Sequence, residues 1–226
     1  MSIEAIKKAV GEVAASLVES KMTIGLGSGT TAHHFIQSLI ARCQKGLSIS
    51  AVASSKESQL LAKKGGIPLL EINAVSHLDL TIDGADQIDH EKQMIKGKGG
   101  ALVREKILAH MSRELIVIVD ETKLVPHLGK GILPVEIIPF GIRATEHHLE
   151  KLGYSGKWRK IDQHIFYTTD NGNYILDIHL EIESNDPRSA HEKISNVPGV
   201  VDTGFFFDVV GRVIVGFFDG QVVMRS

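Results

Sequence analysis

Over the first half of the chain, short apolar runs alternate with stretches whose apolar residues recur every three or four positions, and the runs end in glycine or small polar clusters. Ile3, Ile6, Val10, Val13 and Leu17 give residues 2–20 one apolar helical face. The run 22–26 follows and stops at Gly27-Ser28-Gly29. Residues 30–42 read as a second helix with Phe35, Ile36, Leu39 and Ile40 inward. Next come a strand over 49–53 and a helix over 56–64 that Gly65-Gly66 stops. Runs 67–70 and 78–82 read as strands, 101–111 as a helix, and 115–119 as a β-branched strand of the fully buried kind. A parallel neighbour needs a crossover, so this alternation predicts a right-handed, mostly parallel α/β sheet.

Beyond residue 128 the pattern changes. Gly129-Lys130-Gly131 and Pro134 punctuate a break, followed by a strand over 135–139 and a helix over 143–152. Strands are expected around 164–168 and 174–182, joined by the turn Asp170-Asn171-Gly172-Asn173. A helix over 189–195 and strands over 200–207 and 213–218 complete the reading. Strands beside two helices suit a small α+β unit. The expected fold is α/β: a Rossmann-like, mostly parallel sheet domain of residues 1–128 plus 208–226, with a smaller α+β domain, 129–207, inserted before the last strand returns to the main sheet. No internal repeat is visible.

Composition narrows the function classes. Lys and Arg total 25 against 27 Asp and Glu, a net charge of −2, which argues against a nucleic-acid binder relying on a basic surface. No run approaches the ~20 apolar residues of a membrane span, and the charged, amphipathic start lacks an apolar signal core. The single cysteine, Cys43, has no partner for an internal disulfide or a thiolate metal site, so a reduced, cytoplasmic setting is expected. Glycine is the outlier at 22 of 226 residues, above the ~7 % average. Glycine in such excess, without low-complexity repeats, belongs where backbone turns tightly or approaches a ligand.

In open α/β sheets, ligands bind beyond the carboxyl ends of the strands. The turn Gly25-Leu26-Gly27-Ser28-Gly29-Thr30-Thr31-Ala32 joins backbone N–H groups, hydroxyls and a helix start, a setting for a phosphate. Its glycines at 25, 27 and 29 miss the dinucleotide spacing, no Walker lysine follows, and the second strand ends in Ala53-Ser54-Ser55 without a ribose-binding acid. Asp83-Gly84-Ala85-Asp86 sets two carboxylates at a strand end, suited to sugar hydroxyls, to Mg²⁺, or to a local acidic turn. Lys96-Gly97-Lys98-Gly99-Gly100 opens a helix that carries Glu105 in its early part. Lys123 follows a buried strand, and Ser55 reads as a helix N-cap. Eleven histidines, including His33-His34 and His147-His148, show no ligand spacing, so no metal site is expected.

Taken in order, GLGSGTTAHHF, TIDGADQID, MIKGKGGALVREKI, VDETKLV and LPVEIIPF resemble type A ribose-5-phosphate isomerase. The likeness runs from KKAVG near the start to DNGNYILD and NVPGVVDTGFF, nearly the whole chain. The resemblance implies interconversion of ribose 5-phosphate and ribulose 5-phosphate in the pentose phosphate pathway, without a metal or organic cofactor. It implies proton transfer through an enediol or enediolate with Glu105 as the base. Asp83 and Asp86 then hold sugar hydroxyls, Asp83 helping to open the furanose ring. Lys96 and Lys123 are the cationic contacts, and Ser28, Gly29, Thr30 and Thr31 line the same pocket, with Gly84, Ala85, Gly97, Lys98 and Gly99 in the flanking turns. The family's turn often carries a small residue where this chain has Lys98. The resemblance also implies a homodimer or homotetramer, with the small unit in the interface, and neither nucleic-acid nor membrane partners.

Two other readings stand beside it. One is a relative with the same fold, an amino-sugar-phosphate deaminase or a coenzyme A transferase. The other is a sugar-phosphate sensor that binds without turnover, which the absence of a helix-turn-helix segment before the α/β region disfavours.

Overall fold

The computed structural model describes residues 1–181 and 186–226. Helix α1 (Ile3–Ser16) starts behind Ser2, whose hydroxyl accepts from Ala5 N, and buries Ile6, Val10, Ala14 and Ala15 on one face. Strand β1 (Thr23–Leu26), helix α2 (Gly29–Gln44), strand β2 (Ser50–Ala53) and helix α3 (Lys56–Lys64) follow. Strands β3 (Leu80–Asp83), β4 (Gln87–Ile88) and β5 (Met94–Ile95) lead to helix α4 (Leu102–Met111) and strand β6 (Leu115–Asp120). Beyond them lie β7 (Lys130–Ile137), α5 (Ile142–Lys151), β8 (Gly156–Trp158), β9 (Tyr174–Glu181) and α6 (Pro187–Ser195). The chain closes with β10 (Val200–Thr203), β11 (Phe205–Phe206), β12 (Val210–Gly216) and β13 (Val222–Arg225).

Contacts divide the chain into two compact units. The first comprises Met1–Ala85, Arg104–Leu124 and Asp208–Ser226. Its six-stranded sheet runs β13-β12-β6-β3-β1-β2, parallel throughout except for β13 at one edge. Ile24, Leu26, Phe35, Leu39, Ile82, Ile116, Ile118 and Ile214 are among the buried residues of its core. Each such side chain contributes about 1.5–3 kcal/mol on burial, so sheet and helices carry the stability and the turns are free for chemistry. Because β1, β3 and β6 run parallel, the turns after Leu26, Asp83 and Asp120 lie on the same edge of the sheet.

The second unit comprises Asp86–Val103 and Val125–Phe207. A four-stranded antiparallel sheet, β10-β7-β9-β8, packs Leu133, Val135, Ile137, Leu176, Ile178 and Leu180 with Leu149, Ala190 and Ile194 of its helices. A three-stranded sheet, β11-β5-β4, holds Phe205 and Phe206 against Ile95 and Met94. Residues 86–103, assigned by sequence to the first domain, cluster here through that pairing.

Several sequence expectations are corrected. Residues 67–70 form no strand, only the bridge Ala51↔Leu69, since Pro68 offers a carbonyl to Ala51 but has no N–H to pair. The break expected over 129–134 is instead the first half of β7, paired with β9 from Lys130 to Ile137. Pro134 fits because its carbonyl, accepting from Gly204 N at 2.7 Å, faces the β10 side beyond the last β10 pair, and its missing N–H faces the same way. Residues 164–168 are not a strand. They carry one bridge, Lys160↔Phe166, and the Phe166 ring packs 5.9 Å from Trp158 and 5.0 Å from Tyr174. The expected 200–207 strand divides at Gly204 into β10 and β11, which belong to different sheets. Ile182, the last residue of the expected 174–182 strand, lies outside the described residues. No helix among the described residues is long and apolar enough to cross a membrane.

Candidate active site

The first group of candidate residues sits on the carboxyl edge of the parallel sheet in the first unit. Asp83 ends β3 and is 2 % exposed. Its Oδ1 accepts from Ser28 N at 3.0 Å and from Gly84 N at 2.8 Å, so two backbone donors orient the carboxylate. Gly27 makes room for it: a Cβ there would lie 2.2 Å from Asp83 Oδ1. Ser58, in the first turn of α3, donates through Oγ to Gly27 O at 2.6 Å and holds the turn from the other side.

Ser28 is the N-cap of α2 by position, yet its side chain makes no cap hydrogen bond. Its hydroxyl instead donates to Glu105 Oε1 at 2.5 Å. No side-chain cap therefore occupies the N–H groups at the start of this 16-residue helix, a setting that favours anions. Thr30 is exposed and Thr31 half-buried at this helix start, beside Gly29 with φ +80°. Glu105 lies in the first turn of α4 and is 5 % exposed. Lys123 ends a 3-10 turn, Glu121–Lys123, that follows β6 and is capped by Asp120 accepting from Thr122 N at 3.0 Å. Its side chain is half-buried.

The second group sits in the second unit. Lys96 is buried, its backbone N donates to Gly204 O at 2.8 Å, and its ammonium stands 5.7 Å from the centroid of the Phe206 ring. The turn that follows bends through Gly97 at φ +104° and Gly100 at φ +81°, conformations that L side chains rarely adopt. Asp86 Oδ2 accepts from Lys98 N at 2.9 Å, so the second carboxylate of the acidic pair grips the glycine-rich turn. The Lys98 side chain and Gly99 are exposed. Lys98 lines a cleft of about 360 Å³ with Asp86, Gln87, Ile132, Pro134, Arg159 and Asp177.

Sequence reasoning thus selected Ser28, Asp83 and Glu105, which the fold brings together, and Asp86 with the 96–100 turn, which it also brings together. Ala85 links Gly84 to Asp86 as the half-buried end of the first unit's opening segment. Ser55 caps α3, accepting from Ser58 N at 3.1 Å. Cys43 lies in the last turn of α2 against the core, and burial pushes its thiol up. Sequence reasoning passed over Ser58 and Arg159. Ser58 looks like any helix-start serine, and Arg159 carries no local motif. Among the described residues no three His, Cys, Asp or Glu side chains are grouped as a metal set.

The comparisons with known proteins converge. The sequence model of ribose 5-phosphate isomerase A (phosphoriboisomerase A) matches residues 50–220. A ribose-5-phosphate isomerase A from Protochlamydia amoebophila is 48 % identical over 215 residues, 95 % of this chain and 93 % of the relative. The solved ribose 5-phosphate isomerase of Plasmodium falciparum superposes with a TM-score of 0.92 at 37 % identity, covering 99 % of this chain and 98 % of that one. A D-ribose-5-phosphate isomerase in complex with phospho-erythronic acid superposes with a TM-score of 0.93 at 34 % identity, covering all of both chains.

Proposed function

The chain belongs to the ribose 5-phosphate isomerase A family, and we propose that it interconverts D-ribose 5-phosphate and D-ribulose 5-phosphate through an enediol or enediolate, with Glu105 as the base. The observation that carries the reading is the buried Glu105 carboxylate held by the Ser28 hydroxyl, with Ser28 N in turn on Asp83. A general base must be held in place before its basicity matters, and this one is anchored at the start of a helix whose N–H groups suit an anion.

In the proposed reaction Glu105 takes the proton from C2 of the open-chain aldose and returns it to C1, while the O2 hydroxyl proton passes to O1. C1 is reduced and C2 oxidised within one molecule, so no external electron carrier is needed. Asp83 and Asp86 accept hydrogen bonds from sugar hydroxyls, and Asp83 assists opening of the furanose. Gly29, Thr30 and Thr31, with Ala85, Gly97, Gly99 and the Lys98 ammonium, contribute further polar contacts to substrate, while Ser28 and Gly84 line the pocket with their N–H groups turned to Asp83. The negative charge that grows on the enediolate is what Lys96 and Lys123 favour over the neutral carbonyl. The same reading places the enzyme in the pentose phosphate pathway of the cytoplasm as a homodimer or homotetramer. It also makes phospho-erythronic acid a ligand of this chain, since its carboxylate copies the planar pair of oxygens of the enediolate.

The test is a coupled assay with ribose 5-phosphate in the presence of EDTA. The wild-type enzyme is expected to turn over, and Glu105→Gln to lose about 10²–10⁴-fold in kcat. Full activity in Glu105→Gln overturns the assignment of the base. Turnover of glucosamine 6-phosphate but not ribose 5-phosphate overturns the substrate, and loss of wild-type activity to the chelator overturns the cofactor-free reading.

A further inference from the structure

Arg159 uses every nitrogen of its guanidinium. Nε donates to Asp177 Oδ2 at 2.9 Å and Nη2 to Asp177 Oδ1 at 2.6 Å, a bidentate pair, while Nη1 donates to Gly97 O and Lys98 O, each at 2.9 Å. The guanidinium carbon stands 5.8 Å from the centroid of the Tyr167 ring, and the Tyr167 hydroxyl donates to Gly99 O at 3.2 Å. Three successive carbonyls of the 97–99 turn are therefore tied to two side chains of the second unit.

A trans peptide points its N–H opposite to its C=O, so holding a carbonyl aims the next N–H. The peptide between Gly97 and Lys98 lies between opposite charges: its carbonyl accepts from Arg159, and its N–H donates to Asp86 Oδ2 at 2.9 Å. The next carbonyl, Lys98 O, is held by the same guanidinium nitrogen, which directs Gly99 N–H away from Arg159. Asp177, Arg159, the turn and Asp86 form one chain of charge-assisted hydrogen bonds. Only a planar fork fixed at one end by a carboxylate can reach two carbonyls at the other, and a lysine cannot reproduce that geometry.

From this geometry we infer that Arg159, locked by Asp177, is a positioning residue for the isomerase reaction, setting Asp86 and the 97–99 turn for substrate; the inference rests on the function proposed above. The test compares Arg159→Lys, Arg159→Ala and Asp177→Asn with wild type in two readouts. In the assay with ribose 5-phosphate, Arg159→Lys and Arg159→Ala are expected to lose about 10–10²-fold in kcat/KM per folded enzyme, the scale of a slightly misplaced contact. Asp177→Asn is expected to lose less. Guanidinium at millimolar concentration is expected to restore part of the Arg159→Ala activity and none of the Glu105→Gln activity. Losses that only track the folded fraction, with no rescue, overturn the inference. In the second readout, amide hydrogen exchange at residues 98–100 is expected to accelerate at least about 10-fold in Arg159→Lys while the core of the parallel sheet is unchanged. Unchanged exchange at 98–100 overturns the positioning role whatever the substrate proves to be. Accelerated exchange in an enzyme inert to ribose 5-phosphate instead overturns the functional reading beneath it.

Discussion

Gly27 shows how a glycine serves chemistry without needing an unusual backbone angle. Its missing Cβ is the space that the Asp83 carboxyl occupies, with Asp83 Oδ1 2.2 Å and Asp83 Cα 2.6 Å from where that atom would stand. The second contact is backbone, so Gly27→Ala cannot be accommodated by a rotamer change and must separate the ends of β1 and β3. We expect Gly27→Ala to cost about 1–3 kcal/mol of stability and to weaken the Ser28 N to Asp83 bond, lowering kcat/KM at least about 10-fold. Urea unfolding together with the ribose 5-phosphate assay checks both, and an alanine variant equal to wild type in each contradicts the packing argument. Residues of this kind are legible in sequence by type, because glycines and acids at strand ends mark the turns on the carboxyl edge of a parallel sheet, while the fit of Gly27 to Asp83 comes only from the pairing of β1 with β3. Arg159 was not legible, since its importance comes from carbonyls at Gly97 and Lys98 that only the folded chain brings to it.

At the scale of elements, periodicity succeeded where one face of a segment is buried and failed where tertiary pairing decides. Helix α3 (Lys56–Lys64) coincides with its expected limits because Ser55 caps it and Gly65-Gly66 ends it. Strand β13 escaped notice because it is an edge with Val223 37 % and Met224 47 % exposed, leaving little apolar alternation to read. The two-residue strands β4 and β5 are too short to show any period, and Pro134 disguises β7 because only the fold sets it beyond the β10 pairing. Helix α1 shows a further long-range dependence. It has no basic residue in its last turn, and Arg42 of α2 supplies the missing cation, donating through Nη1 to Ala15 O and, at 2.8 Å, to Val18 O. Carbonyls at a helix end lack intrahelical partners, and charged donors there are worth about 1.5–3 kcal/mol. Arg42→Ala is therefore expected to lower the melting temperature by about 2–4 °C for each kcal/mol lost while leaving kcat unchanged in the folded enzyme. A thermal melt beside the assay measures this, and an unchanged melting temperature would remove Arg42 from the account of how α1 is held.

For the molecule as a whole, a net charge of −2 conceals local cationic positions at Lys96, Lys98 and Lys123. Net charge therefore supplies no attraction for an anion at long range, and recognition of a phosphorylated sugar in the proposed reaction rests on those local cations and on short-range donors, which bulk salt screens less than it screens distant charges. A ligand that binds only the native chain raises its unfolding free energy by mass action, about 2.7 kcal/mol at a concentration 100 times Kd. For a chain of this size that is a rise of roughly 5–11 °C in melting temperature. Phospho-erythronic acid is expected to produce a rise of this order when saturating and to compete with ribose 5-phosphate in the assay. Glu105→Gln separates binding from turnover. It should retain most of the thermal shift while losing activity, because the amide keeps the size of the carboxyl and an oxygen able to accept from Ser28 Oγ. Lys123→Ala should lose both shift and inhibition in proportion, since in the proposed reaction it holds negative charge in the bound ligand and in the transition state alike. A wild-type enzyme whose melting temperature and activity ignore phospho-erythronic acid would refute the view that these turns recognise a phosphorylated sugar in its enediolate form.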